Sequence, residues 1–136
     1  MRHSDWLLIA TVVFANANAQ AQQATLTLAC NGTFSGQEEK PEPISMGIIV
    51  NFTARTVQGF NSPGYGSYPV MINGENDVTI SFYGSRQSGD VEDSVSGSID
   101  RVTGDVWAEN RTFNVKSGNG FTTTYTLKCK PAQRLF

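Results

Sequence analysis

Two alternating stretches of sequence, one near each end of the chain, carry the only two cysteines. The first is Leu26-Thr-Leu28-Ala-Cys30, and the second runs from Phe121 to Cys129. Because side chains alternate between the two faces of a β-strand, each cysteine shares a face with the apolar residues of its own stretch. We therefore predict two half-buried strands joined by a disulfide between Cys30 and Cys129, which brings the two ends of the domain together.

The first 19 residues have the pattern of a secretory signal peptide. Arg2 supplies a basic start, an apolar run extends from Trp6 to Ala15, and small residues favour cleavage after Ala19, with Ala21 as the alternative. The apolar run is too short to cross a bilayer, which needs roughly 20 residues. We expect an exported protein, periplasmic or secreted, without stable membrane insertion and with a single domain over residues 24–136.

The charge balance bounds the partners of the chain. Ten basic and twelve acidic residues give a net charge of −2. This weakly acidic balance provides no electrostatic basis for binding nucleic acid or an anionic membrane. Export also makes the inferred disulfide chemically permissible, because disulfides persist in oxidising compartments.

The sequence between the cysteines consists of short alternating segments separated by turn signals. Ile44–Phe52 and Val78–Phe82 alternate most clearly, and no segment after the signal has the periodicity of a helix. With an even number of up-and-down strands, the first and last strands are antiparallel neighbours in a closed sheet. We predict an all-β fold, a small antiparallel up-and-down β-barrel of about eight strands, with a two-sheet β-sandwich as the alternative.

Some local predictions concern turns and side-chain orientation. Asn73-Gly74 is a strong hairpin-turn signal, and Ser85–Glu92 has the composition of a loop. Gly97 fits a bend in its strand. Near Val106 and Trp107 the alternation does not decide which side chain faces the core.

In an up-and-down barrel, alternate loops emerge at the same end, and binding residues concentrate on long loops held by a rigid sheet. The loops expected to share one rim are residues 36–43, 61–67, 85–92 and 117–120. This rim gathers Tyr65, Tyr68 and Arg86, which are the predicted binding residues, because tyrosine rings beside an arginine suit recognition of a sugar or a protein. The plainer alternative is that they pack on their own loops.

The mature sequence lacks the residues that most enzymes use. The only histidine of the full chain, His3, lies in the signal, so the mature sequence lacks the usual base for a serine or cysteine nucleophile and the commonest zinc ligand. We expect a non-enzymatic monomer without cofactor or metal. Two alternatives stay open: a carboxylate-pair hydrolase that uses Glu38 or Glu39 with Asp90, and calcium held by the acidic loops, although no spacing matches a known calcium loop.

Two stretches carry a resemblance to known proteins. Ser96–Asp105 (SGSIDRVTGD) and Tyr125–Pro131 (YTLKCKP) resemble small exported proteins of proteobacteria that carry no assigned activity, which implies export. A looser likeness is to the membrane-bound or periplasmic inhibitors of C-type lysozyme, small barrels that bridge early and late cysteines and carry an S-G-x-x-Y loop motif. In Ser88–Glu92 a glutamate stands in place of that tyrosine.

Two functions of different classes follow as expectations. The first is a binding module for a small apolar or sugar ligand, held in a barrel mouth lined by Phe52, Phe82 and Tyr125. The second is an interaction protein that blocks a secreted enzyme such as a lysozyme. In both, the contacts are expected on the rim of long loops.

Overall fold

Antiparallel strands follow one another around a closed barrel in the computed structural model, which describes residues 24–60 and 68–133. Each strand pairs with the next in sequence, and the last strand closes the ring on the first. The eight strands in this part of the chain are β1 (Thr25–Ser35), β2 (Glu42–Asn51), β3 (Thr56–Gln58), β4 (Met71–Glu75), β5 (Thr79–Ser88), β6 (Val91–Asp100), β7 (Asp105–Asn114) and β8 (Gly120–Pro131). The predicted up-and-down barrel is confirmed, and the two-sheet alternative is excluded.

The ring closes at the two cysteines. Cys30 on β1 and Cys129 on β8 are direct partners in the ladder, their Cα atoms are 4.1 Å apart, and their sulfur atoms are bonded. Both side chains face the core and are buried. The predicted disulfide is confirmed, and it ties the first strand to the last across a separation of 99 residues.

The core is formed by the inward-facing residues of the alternating strands, most of them aliphatic. The most deeply buried aliphatic side chains are Ile48, Val50, Val57, Ile80, Val95 and Val106. Val106 faces inward and Trp107 faces solvent, which settles the orientation that the alternation left open. Gly97, expected at a bend, makes room for a ring, because a Cβ atom there would lie 2.6 Å from Cζ of Phe82.

Aromatic rings fill the centre of the barrel. The ring of Phe60 stacks on Phe82 and meets Tyr125 edge to face, with centroid distances of 5.4 Å in both pairs. These are the separations that aromatic pairs prefer. Side chains, rather than open space, therefore occupy the centre of the barrel.

The predicted turn at Asn73-Gly74 is wrong. Both residues lie inside β4, where a bulge shifts the register between Ile72 and Gly74. The turn follows at Asn76, whose side-chain oxygen accepts hydrogen bonds from the backbone N–H groups of Val78 and Thr79. A bulge inserts one extra residue into a strand, which explains why a turn-like dipeptide continues the ladder here.

The predicted loop at Ser85–Glu92 is also wrong. The ladder between β5 and β6 extends to the pair Ser88 and Val91, which leaves only Gly89 and Asp90 as a turn. Gly89 has φ of +60°, a left-handed conformation that favours glycine. Both strands therefore continue to the end of the barrel.

The connections divide between the two ends of the barrel. Among the described residues, 36–41, 59–60, 68–70, 89–90 and 115–119 form the end that we call the long-loop rim. Residues 52–55, 76–78 and 101–104 form the turn rim, where β1 also begins and β8 ends. The predicted sharing of one end by alternate loops follows from this strand order.

Charged side chains brace the turn rim. Nη1 of Arg55 lies 2.7 Å from Oε1 of Glu75, and Nη1 of Arg101 lies 3.8 Å from the other oxygen of that carboxylate. The Arg101 guanidinium also donates a 2.9 Å hydrogen bond to the Asn76 carbonyl and lies 5.6 Å from the centre of the Phe52 ring. All three tight turns are therefore linked through the Glu75 carboxylate and two arginines, Arg55 and Arg101.

The seam between β3 and β4 is the weakest part of the wall. The two strands share one ladder pair, Thr56 with Met71, whereas β1 and β8 share eight pairs and the disulfide. Because opening free energies follow local packing and hydrogen bonding, this seam is expected to open before the rest of the ring.

Candidate functional site

Two of the three predicted binding residues, Tyr68 and Arg86, are described by the structure, and their surroundings differ. Tyr65 lies outside the described residues. Tyr68 is only 8% exposed, and its hydroxyl donates a 2.5 Å hydrogen bond to Oδ2 of Asp93. Arg86 is exposed, but it belongs to strand β5 rather than to a loop, and its ladder partner is Asp93. Tyr68 thus has an interior contact, and a binding role for the three residues stays a prediction.

Tyr68 belongs to a buried polar group that we call the Asp93 cluster, formed by Asp93, Tyr68, Asn110 and Thr112. Asp93 is 1% exposed. Its Oδ1 accepts a 2.7 Å hydrogen bond from the Thr112 hydroxyl, and Oδ2 also accepts a 3.5 Å bond from the amide of Asn110. A buried carboxylate is costly unless it is hydrogen-bonded, and here both oxygens have donors.

The electrostatics of the cluster keep the tyrosine protonated. Burial raises the pKa of Tyr68, and the hydrogen bond to Asp93 and the charge of that carboxylate raise it further. Tyr68 therefore remains a neutral donor at physiological pH. Because it immediately follows residues 61–67, its bond to Asp93 fixes one end of the connection between β3 and β4 on the barrel.

Sequence reasoning missed this cluster, although a signal for it was present. Asp93 directly follows the predicted loop at Ser85–Glu92, yet it continues the inward alternation of Val95 and Ile99. Asn110 and Thr112 likewise continue the inward positions of Val106 on β7. Extending the alternation from Val95 to Asp93 on β6, and from Val106 to Asn110 and Thr112 on β7, places the carboxylate and two of its hydrogen-bond donors on the inner face.

The expected mouth lining is not gathered at one place. Phe82 and Tyr125 pack on Phe60 in the filled centre, whereas Phe52 lies at the turn rim. At the long-loop rim there is a shallow depression of about 300 Å³ beside Val91 and Phe121. The Asp93 cluster contributes Thr112 to this depression, so polar groups and packed rings close that end of the barrel.

A larger space lies at the opposite end. The turn-rim cavity has a volume of about 480 Å³, and its apolar lining residues are Leu26, Leu28, Phe52, Ile99, Val102, Cys129 and Pro131. Asp100, Arg101 and Lys130 stand among its polar lining residues. The lining comes from the ends of β1, β6 and β8 and from the turns at residues 52–55 and 101–104.

The charged residues that line the cavity differ in whether other groups of the barrel already bind them. The Asp100 carboxylate accepts hydrogen bonds from the backbone N–H groups of Thr103 and Val102, at 3.0 and 2.9 Å, and these bonds lower its pKa. Arg101 is held by the ion pair with Glu75. Within residues 24–60 and 68–133, Lys130 belongs to none of the ion pairs.

No group of three His, Cys, Asp or Glu side chains in residues 24–60 and 68–133 is placed to hold a metal ion. Nor do these residues include a helix of the length and apolar character needed to span a bilayer. Glu38, Glu39 and Asp90, the carboxylates considered for hydrolysis, are all exposed at the long-loop rim.

Comparison of the chain with models of known protein families, with curated proteins and with solved structures gives no match. A functional conclusion therefore depends on the geometry of the barrel itself.

Proposed function

We propose that the protein is an exported, non-enzymatic binding module that holds a small apolar ligand in the turn-rim cavity. The observation that carries the proposal is the cavity of about 480 Å³ at the open end of the core. Small-molecule sites occupy about 300–1,000 Å³ and combine an apolar lining with a few polar groups. The sequence led us to expect a site at the long-loop rim. The proposed site lies at the opposite end of the barrel.

The lining favours an amphiphile with a negative charge. Apolar surface buried in the cavity contributes about 25 cal/mol per Å² to binding. At the edge, Asp100 is engaged by its own turn, whereas Lys130 is exposed and free of the ion pairs described above. A carboxylate bound beside Lys130 would gain a charge-assisted hydrogen bond. A saturated fatty acid of medium length, such as dodecanoate, has this chemistry.

Export and a disulfide-permissive compartment belong to the same proposal. The bridge between Cys30 and Cys129 is compatible with an oxidising compartment. A monomer is sufficient, since one barrel supplies every wall of the cavity.

Isothermal titration calorimetry with dodecanoate tests the proposal. Val102 is 75% exposed and lines the cavity, so Val102→Trp should obstruct it and weaken binding at least tenfold. The matched control is Val78→Trp, because Val78 is a 50% exposed valine of a neighbouring turn and is outside the cavity lining. Absence of dodecanoate binding to the wild-type protein, or equal binding by the Val102→Trp variant, would overturn the proposal.

A further inference from the structure

The outer wall of β5, β6 and β7 carries a groove that the turn-rim cavity does not use. This outer groove has a volume of about 420 Å³, and its lining includes Tyr83, Glu92, Ser94, Ser96, Arg111 and Phe113. It adjoins a second depression of about 380 Å³ that extends to Phe121 and Thr122 on β8. The two depressions share Glu109, Arg111 and Phe113, so together they form one continuous surface across four strands.

The ladder fixes the positions of the groove residues. Tyr83 is paired with Ser96, Ser96 with Glu109, and Ser94 with Arg111. Because these strands are paired over most of their lengths, the side chains project from a rigid wall. The groove is therefore preorganised, which reduces the ordering cost of binding.

The charged groups of the groove remain available for a ligand. The Arg111 guanidinium lies 5.2 Å from the centre of the Phe113 ring, a cation–π contact that restricts its orientation. In the part of the chain that the structure describes, the ion pairs include neither Arg111 nor Glu92 nor Glu109. Two acceptor carboxylates and one oriented donor thus face solvent together.

We propose that the outer groove binds a short segment of a neutral glycan. Tyr83, 45% exposed, presents a flat amphipathic face on which the C–H surface of a sugar ring stacks, and the half-buried Phe113 ring, which lies under the Arg111 guanidinium, adds apolar surface to the groove. The carboxylates accept hydrogen bonds from sugar hydroxyls, and Arg111 donates to sugar oxygens. The mixed signs of charge favour a neutral ligand over a polyanion.

The surrounding wall fits a hydroxyl-rich ligand better than a protein. The outward positions on both sides are mostly hydroxylic: Ser81, Ser85, Ser98, Thr122, Thr124 and Thr126. Protein interfaces are depleted in serine and glutamate, whereas Ser94, Ser96, Glu92 and Glu109 line this groove. A partner strand has no free edge to join here, because β6 and β7 are paired on both sides.

Affinity electrophoresis tests this inference. The wild-type protein is run in native gels that each contain one soluble neutral polysaccharide: hydroxyethylcellulose, dextran, laminarin, galactomannan or arabinoxylan. Migration should be slowed in at least one gel. Tyr83→Ala and Arg111→Ala should weaken the interaction at least tenfold, measured from the polysaccharide concentration needed for half of the maximal retardation.

The control is Trp107→Ala. Trp107 is as exposed as Tyr83 and lies on the outer face of β7, but it is outside the groove lining. This variant should migrate like the wild type, and thermal melting should show all three variants folded. The inference is overturned by unchanged migration in all five gels, by retardation that survives in both groove variants, or by capture of a protein partner at this face in place of any glycan. The outer groove and the turn-rim cavity share no lining residue. Failure of the glycan test therefore leaves the fatty-acid proposal standing.

Discussion

Removal of one oxygen atom, by Tyr68→Phe, tests whether the Asp93 cluster holds the connection between β3 and β4 on the barrel. The tyrosine hydroxyl is buried and donates to Oδ2 of Asp93. In the variant, Asp93 keeps the 2.7 Å bond from Thr112 and the longer bond from Asn110. The phenylalanine ring retains the packing of the tyrosine ring, so the change isolates one hydrogen bond.

The expected cost follows from the charge and burial of the acceptor. A hydrogen bond to a charged group contributes about 1.5–3 kcal/mol to stability. Loss of a donor costs more when the acceptor is buried, because water does not replace the lost bond. We expect the free energy of unfolding to fall by about 2 kcal/mol. For a domain of this size, at roughly 4 °C per kcal/mol, Tm should fall by about 8 °C.

Urea unfolding followed by far-ultraviolet circular dichroism, with the disulfide intact, measures this change. The matched control is Tyr83→Phe, since Tyr83 is 45% exposed on the outer wall and its substitution should stay within about 0.5 kcal/mol of wild type. A Tyr68→Phe variant equally close to the wild type would refute the assignment of Tyr68 as an anchor. Combining it with Thr112→Val then measures the coupling between the two donors.

Three further predictions concern stability. Because the pKa of Tyr68 is raised in the folded protein, the folded state keeps a proton that the unfolded state loses above about pH 10, so stability should fall with pH there. Tyr68→Phe should flatten that dependence in urea titrations at pH 9–11, and an unchanged slope would contradict the assignment. The Cys30→Ala, Cys129→Ala double variant should lose up to about 4.7 kcal/mol in denaturant unfolding, and a loss below about 1 kcal/mol would contradict the closure argument. In hydrogen exchange, amides of β3 should exchange faster than those of β1, and equal protection would contradict the inference that the seam between β3 and β4 opens first.

The barrel was predictable because its main signals are local. Alternation along each strand identifies the inward face without knowledge of the neighbours, and the cysteines placed the first strand beside the last. Ser85–Glu92 was misassigned because strand ends at a rim are polar on both faces and resemble a loop in composition. Only the ladder with β6 shows that Arg86 is part of a strand.

The sites were less predictable because they are assembled from distant segments. Leu26, Phe52 and Ile99 share no local pattern, yet the topology brings them to one cavity. The outer groove similarly joins Tyr83 to Phe113 through cross-strand neighbours. The prediction of a turn at Asn73-Gly74 was wrong for a related reason, since a bulge depends on the pairing of two strands and not on a dipeptide alone.

The start of β1 and the end of β8 lie side by side, and Thr25 and Pro131 both border the turn-rim cavity. A purification tag or fluorescent fusion attached directly before Thr25 or after Pro131 would therefore lie next to this cavity and compete with the ligand that we propose for it. Circular permutation offers a remedy: a short linker joins the native ends, and new ends open in the turn at Gly118, on the far side of the molecule.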